Sequence, residues 1–262
     1  LYHTFFCEAV MDGAQAVGAV VQNKGGRRLI RARRVVDCSG DGDAAASAGC
    51  AFTVGDAQTG LCQPATLMFT IGGVDWEKVA RWRTSYDMAD VWKAAQAKGI
   101  MRPFQSKIMG FWWTPTRPDQ VGINFTHING VDACKAEDLT RATIEGRKQA
   151  YESIAVFRQV VPGMERCYLV STPNTVGIRE SRRIEGEYCL TREDVVGRRA
   201  FPDSIGYGSF FIDIHNTRGP GMDAKVWYPE TGFRYQIPYR ILLPKAGDNL
   251  LVAGRCASCD HE

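Results

Sequence analysis

The stretch RRVVDCSGDGD, residues 33–43, joins a short β-branched run to an acidic turn that contains two glycines. The next residues, AAASAG at 44–49, predict one or two turns of helix that end at Gly49. A strand, a glycine turn and a helix start are a common way to bring backbone N–H groups up to a phosphate-bearing ligand. The same pattern also simply ends a strand, so a binding turn and a plain turn both remain open at this point.

The composition is that of an ordinary globular protein, with 45% apolar and 23% charged residues in a chain of 262. This excludes disordered and fibrous classes and allows one large domain or two smaller ones. The net charge is only +3 and no block of Lys or Arg exceeds a pair, so no nucleic-acid partner is expected. No apolar run approaches the length of a membrane span. We expect a small-molecule substrate and no membrane partner, and the sequence leaves the oligomeric state open.

The nine cysteines are odd in number and widely spread along the chain. This distribution favours reduced thiols in a cytoplasmic protein over a disulfide framework. The chain opens without an initiator Met or a signal-peptide layout, and its last residues directly follow an informative stretch. We therefore expect an excerpt of a longer protein whose N-terminal targeting is not observable.

The acidic turn is preceded by three predicted strands, at 1–10, 17–22 and 29–37. Asp-Gly and Gly-Gly pairs separate these runs, which predicts an antiparallel β-meander. The meander delivers the Val35-Val36 strand to the turn at Gly40.

Downstream, the pattern predicts a mixed α/β protein with a large sheet. A helix is predicted at 76–98, where Val79, Trp82, Tyr86 and Ala89 recur at helical spacing. A longer helix is predicted at 136–161, and a short helix after a capping box at 191–194. The remaining predicted strands lie at 65–71, 121–125, 167–170, 182–189, 210–215, 233–237, 240–243 and 249–252.

A second informative stretch is NLLVAGR at 249–255, an apolar strand that ends in Gly254 and Arg255. Its layout echoes the strand that ends at Gly40. Two such strands, far apart in sequence, suggest two edges of one ligand crevice at the carboxyl ends of the strands.

Asp213 and His215 lie two residues apart on a predicted strand, so their side chains are expected on the same side. A carboxylate beside an imidazole can fix its tautomer and raise its pKa, which suits a general acid or base. A structural histidine with a satisfied partner is the alternative.

Arg179 and Arg183 are four residues apart and are expected to share a face, whereas Arg182 does so only in some geometries. Two guanidinium groups on one face suit a bidentate grip on a carboxylate or a phosphate. Arg179 is the first choice because the preceding residues, 174–178, are uncharged. The alternative is a surface ion-pair ladder with Glu180, Glu185 and Glu187.

Cys256 and Cys259 have C-x-x-C spacing, with His261 close behind. A redox pair or half of a zinc site would use this spacing. No second C-x-x-C completes four ligands, so no metal site is predicted. His3, His127 and His261 show no informative partner spacing.

The turn at 37–43 resembles the (I/V)-D-x-(T/S)-G-D-x-D turn of a bacterial family of FAD-dependent oxidoreductases, distant relatives of the glutathione reductase and fumarate reductase flavoproteins. The resemblance covers nearly the whole chain, because further motifs match in the same order. These are the meander and the stretches at 63–69, 177–188, 213–215, 237–240 and 249–256.

The resemblance implies an α/β (mixed α+β) fragment with three parts. Residues 1–55 would be a partial FAD-binding domain, 56–245 a mixed-sheet substrate domain, and 246–262 a return strand to the FAD-binding domain. The family's strand–G-x-G-x-x-G–helix unit, which seats the FAD pyrophosphate, does not occur between Leu1 and Glu262. The Gly-rich helix that normally follows the Gly254-Arg255 turn is absent as well. Whether this stretch binds FAD alone is therefore left open.

The resemblance also implies roles for particular residues. The turn would lie along the FAD, with Gly254 and Arg255 near its pyrophosphate or ribityl chain. The residues of the turn in this role are Ser39, Gly40, Asp41, Gly42 and Asp43. Asp41 and Asp43 could instead, or in addition, cap the helix that starts at Ala44.

The implied function is hydride transfer between FAD and a small, anionic organic substrate. Arg179 and Arg183 would orient the substrate, and His215, held by Asp213, would move the proton. The alternatives are a non-catalytic, cofactor-free module and, third, a thiol or zinc protein that uses Cys256 and Cys259.

Overall fold

The computed structural model describes residues 1–85, 87–105, 110–114 and 116–262. In these residues the chain forms five α-helices and thirteen strands in several small sheets, which confirms the mixed α+β class. The chain divides into two compact units. The first comprises Leu1–Leu61, Glu180–Asp213 and Lys225–Glu262, and the second comprises Cys62–Arg179 and Ile214–Ala224.

The division differs in detail from the predicted domains, since residues 180–213 and 225–245 fall in the first unit. The functional assignment of the domains stays a prediction. In the part of the chain that the structure describes, no helix has both the length and the apolar character needed to cross a membrane.

The first unit opens with the predicted antiparallel meander of β1 (Phe5–Asp12), β2 (Gln15–Asn23) and β3 (Gly26–Arg31). The single strand predicted at 29–37 is wrong, because β3 ends at Arg31 and the next strand begins only at Val35. The next strand, β4 (Val35–Asp37), pairs in parallel with β13 (Leu250–Val252) instead of with the meander.

Helix α1 (Asp43–Ser47) follows β4, and its buried Ala45 packs in the small core of the first unit. This core joins both strands of the parallel pair to the helix and to the chain after β13. Its buried members are Ala45, Cys50, Ile184, Leu250, Val252 and Cys256.

The rest of the first unit is built from two further strand pairs. Strand β5 (Phe52–Val54) pairs with β10 (Arg182–Ile184), and β11 (Ser204–Gly208) pairs with β12 (Tyr235–Pro238). The predicted capping box is confirmed at the start of α5 (Arg192–Val196), where the Thr191 and Asp194 side chains cap each other's backbone N–H groups.

Three predicted strands of this region are shorter or absent. The strand predicted at 182–189 is only β10, and residues 210–215 form only isolated bridges, at Ile212 and His215. The strand predicted at 240–243 is wrong, because the chain makes a 3-10 turn over Tyr239–Leu242 directly after Pro238.

The second unit has one antiparallel sheet in the order β7 (Gly110–Thr114), β8 (Arg117–Asn124), β6 (Phe69–Gly72) and β9 (Tyr168–Ser171). The long helix predicted at 136–161 is confirmed as α4 (Ala136–Val160). Its Phe157 stacks on Phe69 of β6, with ring centroids 6.5 Å apart, so the helix is packed on the sheet.

The helix predicted at 76–98 is instead two helices, α2 (Trp76–Ser85) and α3 (Met88–Ala97). The break follows from Asp87, whose side chain accepts a hydrogen bond from Ala89 N and caps α3. Val79 and Trp82 are buried in the core, as their spacing predicts. Tyr86 lies outside the described residues.

Asn249 fastens the meander of the first unit to the parallel pair. Its Oδ1 accepts from Ala16 N and its Nδ2 donates to the carbonyls of Ala16 and Arg33, each at 2.8 Å. These bonds link β2, the segment before β4 and the segment before β13.

Replacing Asn249 with Ala is expected to lower the free energy of unfolding by about 2 kcal/mol, because three side-chain hydrogen bonds to the backbone are lost. Urea denaturation followed by far-UV circular dichroism measures this change. Asn23→Ala is the matched control, since the Asn23 side chain accepts one local hydrogen bond, from Gly25 N. Equal effects of the two substitutions would contradict the fastening role of Asn249.

Candidate functional site

The acidic turn of the first unit is held by a buried carboxylate at the end of β4. Asp37 accepts hydrogen bonds from Ser39 N at 2.9 Å and from Ala45 N at 2.8 Å. The Ser39 hydroxyl accepts in turn from Asp43 N at 2.9 Å. Asp37 and Ser39 therefore accept hydrogen bonds from backbone N–H groups at the start of α1. From the sequence alone, Asp41 and Asp43 were the candidates for capping this helix.

Gly40 and Gly42 are required by the shape of this turn. Both have left-handed backbone angles, with φ of 83° and 67°. A Cβ on Gly40 would lie 2.7 Å from Nη2 of Arg255, and one on Gly42 would lie 2.9 Å from Ile184 Cδ1. A side chain at either position would thus displace its neighbour as well as strain the backbone.

The parallel pairing of β4 with β13 places the two glycine turns side by side, as the sequence pattern predicts. Arg255 Nη1 donates to Asp41 Oδ1 at 2.7 Å and to Ser181 Oγ at 2.8 Å. The Ser181 hydroxyl donates to the same Asp41 oxygen at 2.6 Å. Gly254, with φ of 92°, has open space where a Cβ would stand.

Arg182 joins this group from β10. Its Nη1 donates to the carbonyl oxygen of Asp41 at 3.0 Å and to Asp43 Oδ1 at 2.8 Å. We call Asp41, Asp43, Ser181, Arg182 and Arg255 the turn cluster. It holds two guanidinium groups and two carboxylates, so it is close to neutral overall.

Arg183, the next residue on β10, lies outside the turn cluster. It is buried with Glu180, with which it forms an ion pair, and it donates to the carbonyls of Cys259 and Gly55 at 3.1 and 2.8 Å. His261 Nδ1 lies 2.9 Å from the same Glu180 carboxylate. These contacts tie Arg183 to the backbone of its own unit.

Cys256 and Cys259 are unsuited to thiolate chemistry. Burial raises the pKa of the Cys256 thiol, with a further contribution from Asp37, and burial raises that of Cys259 to about 12. A reactive or metal-binding thiol needs a lowered pKa. In the described ranges no group of three or more His, Cys, Asp or Glu residues is placed to hold a metal ion.

The second unit brings Arg179 and two buried histidines into one region. Arg179 Nη1 donates to the Pro64 carbonyl at 2.6 Å, and His215 N donates to Gln63 Oε1 at 3.1 Å. The rings of His127 and His215 have centroids 5.8 Å apart. We call His127 and His215 the histidine pair.

His127 is the member of this region that the sequence reasoning missed. Its backbone N–H and carbonyl are held by the Gln149 side chain of α4, at 2.8 and 3.1 Å. Its Nε2 lies 3.2 Å from the carbonyl oxygen of Asn216. No motif marks His127, and its only signal is its place just after the alternating strand at 121–125.

Both histidines are held in the neutral form. Burial lowers the pKa of His215 from 6.5 to about 3, with smaller contributions from the charge of Arg179 and from the neighbouring His127 ring. Burial is also the main cause that lowers the pKa of His127, to which Arg179 adds. The pKa of His215 is thus lowered overall, and the expected role of Asp213 beside it stays a prediction. Asp213 itself belongs to the first unit, on a segment that forms no regular strand.

The lowered pKa of His215 makes stability depend on pH. The unfolded chain binds a proton at His215 near pH 6.5, whereas the folded ring stays neutral down to about pH 3. Unfolding therefore takes up a proton between these values, and the free energy of unfolding falls as the pH drops through 6.5.

The free energy of unfolding of the wild type is expected to fall between pH 7.5 and pH 5. About 2 kcal/mol of this fall should be absent in the His215→Gln variant. Urea unfolding at both pH values measures the loss, and His3→Asn, at an exposed position, is the control. An equal loss of stability in the wild type and in the His215 variant would show that the ring protonates in the folded state.

Comparison with known proteins bears on the whole chain. No curated protein matches the sequence. The family described as FAD dependent oxidoreductase matches it over residues 1–262. The chain therefore belongs to the FAD-dependent oxidoreductase family.

Proposed function

We propose that this chain serves hydride transfer between FAD and a small, anionic organic substrate. In this proposal the turn cluster of the first unit contacts FAD, and the region around Arg179 and the histidine pair contacts the substrate. The observation that carries the substrate assignment is the positive charge of Arg179, which lowers the pKa of both buried histidines.

The residues of the turn cluster fit the hydroxyl-bearing part of FAD better than its pyrophosphate. Asp41 offers carboxylate oxygens and Arg255 offers donors, and both side chains are partly accessible, whereas Ser181 is buried beneath them. A polyhydroxyl chain uses both donors and acceptors, whereas a pyrophosphate would face the negative charges of Asp41 and Asp43. We therefore assign Asp41 and Arg255 to hydroxyl groups of FAD. When bound, FAD supplies the acceptor or donor of the hydride.

Arg179 is proposed to hold the acid group of the substrate. Arg179 contributes to the lowered pKa of both His127 and His215, so its positive charge acts on this region. A guanidinium is well shaped to bind a carboxylate. Arg183, tied to Glu180 and to backbone carbonyls, is assigned a structural role in this proposal.

His215 is proposed to hold or release the proton that accompanies hydride transfer. An anion beside Arg179 offsets part of the charge that keeps the ring neutral, so substrate binding raises the pKa of His215. The imidazole then accepts a proton more readily in the presence of substrate than in its absence.

Replacing Arg179 with Gln is expected to raise the pKa of His215, because a nearby positive charge is removed. NMR titration of the histidine ring protons measures this pKa. Adding propanoate to the wild-type protein is expected to raise it as well, and to have a smaller effect in the Arg179 variant.

Arg147→Gln, which removes an exposed arginine from α4, is the matched control and should leave the pKa of His215 unchanged. A pKa of His215 that responds neither to the loss of Arg179 nor to propanoate would contradict the anion site.

A further inference from the structure

A buried carboxylate of the first unit holds a histidine that the proposed function does not use. Nδ1 of His261 lies 2.9 Å from Oε1 of Glu180, a side chain that is only 6% exposed. Glu180 also forms the ion pair with Arg183, which two backbone carbonyls fix in turn. The carboxylate is therefore fixed in position, and it orients one edge of the imidazole ring.

This contact decides which nitrogen of His261 carries the hydrogen. A carboxylate that forms an ion pair with a guanidinium accepts hydrogen bonds and does not donate them, so Nδ1 is the donor to Glu180. In the neutral ring, Nε2 then presents the lone pair and is the atom that can take up a proton.

Nε2 of His261 is available to a ligand. Among the residues that the structure describes it makes no hydrogen bond, and it is not one of the atoms that are both buried and without a partner. The side chain is 11% exposed, so most of the ring is enclosed while this nitrogen keeps contact with solvent. A ring that is anchored by a carboxylate at one nitrogen and open at the other has the layout of a general base.

The pair of His261 and Glu180 shares its support with the turn cluster. Glu180 directly precedes Ser181 of the cluster, and Arg183 directly follows Arg182 of the cluster. The same four residues, 180–183, therefore carry contacts of the turn cluster and the group that orients His261.

We propose that His261 and Glu180 form a second acid–base site of this chain, which acts on hydroxyl compounds and water. Nε2 of His261 accepts the hydroxyl proton and passes it to solvent. Glu180 is a positioning residue that fixes the tautomer and stabilises the positive charge of the protonated ring. The inference goes beyond the proposed function, in which His215 of the second unit moves the proton.

Hydrolysis of p-nitrophenyl acetate by the full 262-residue chain tests this site without a cofactor. Nε2 takes a proton from water while the water oxygen bonds to the ester carbonyl carbon. The bond from that carbon to the aryl oxygen breaks, p-nitrophenolate leaves and acetic acid forms, and His261 returns its proton to solvent. The release of p-nitrophenolate is followed by its absorbance.

The turnover is expected to fall at least about tenfold in His261→Gln. The fold should be kept in this variant, because Glu180 retains its ion pair with Arg183. His3→Asn, which removes an exposed histidine, is the matched control and should keep most of the turnover.

NMR of the wild-type protein labelled with ¹⁵N at histidine is a second readout that needs no variant. His261 is expected to carry its hydrogen on Nδ1 when the ring is neutral. Turnover that is unchanged in His261→Gln, or a hydrogen on Nε2 in the wild type, would overturn the acid–base site. His261 would then serve only as a hydrogen-bond donor to Glu180, and the assignments of Arg179, His215 and the turn cluster would be unaffected.

Discussion

The parallel pairing of two three-residue strands, Val35–Asp37 and Leu250–Val252, is the constraint on which the first unit depends. Asp37 ends one of these strands, and its carbonyl oxygen accepts from Ala253 N at 2.9 Å, while its carboxylate holds the acidic turn. Asp37 thus holds the end of β13 through its carbonyl oxygen and the acidic turn through its carboxylate. Arg255 can reach Asp41 because this pairing sets the two turns side by side.

The two candidate regions differ in their electrostatics. The turn cluster balances two guanidinium groups against two carboxylates and leaves these four charged groups partly accessible, which suits a ligand rich in hydroxyl groups. The region around Arg179 has a cation beside two buried, neutral imidazoles, which suits an anion and makes the proton affinity of His215 responsive to that anion. The whole chain matches the FAD-dependent oxidoreductase family, and the proposed oxidoreductase function uses both regions.

Local patterns in the sequence predicted much of the fold. The meander, the acidic turn, the long helix Ala136–Val160 and the capping box at Thr191 follow from turn residues and periodicity, which act within a few positions of the chain. The single helix predicted at 76–98 failed because the cap at Asp87 outweighs a continuous apolar face. The strand predicted at 29–37 failed because β4 finds its partner at Leu250, far along the chain.

The candidate site was harder to predict, since its chemistry depends on groups that only the tertiary structure brings together. Asp213 is the visible sequence neighbour of His215, yet burial, Arg179 and His127 determine the lowered pKa of that ring. His127 carries no motif, and only its burial and its bond to Asn216 single it out. Arg179 and Arg183 were expected to share a face but have different surroundings, one near the histidine pair and one bound to Glu180.

The most direct test of the account is a titration of the 262-residue chain with FAD, followed by flavin fluorescence and the visible spectrum, for the wild type and for Asp41→Asn. We predict saturable binding with a perturbed flavin spectrum, and about tenfold weaker binding by the variant, because a charged acceptor of flavin hydroxyl groups is lost. Arg34→Gln, at an exposed position of the same unit, is the control. Tighter binding by Asp41→Asn would place a phosphate at the turn cluster instead, and no binding by the wild type would contradict FAD recognition by this chain.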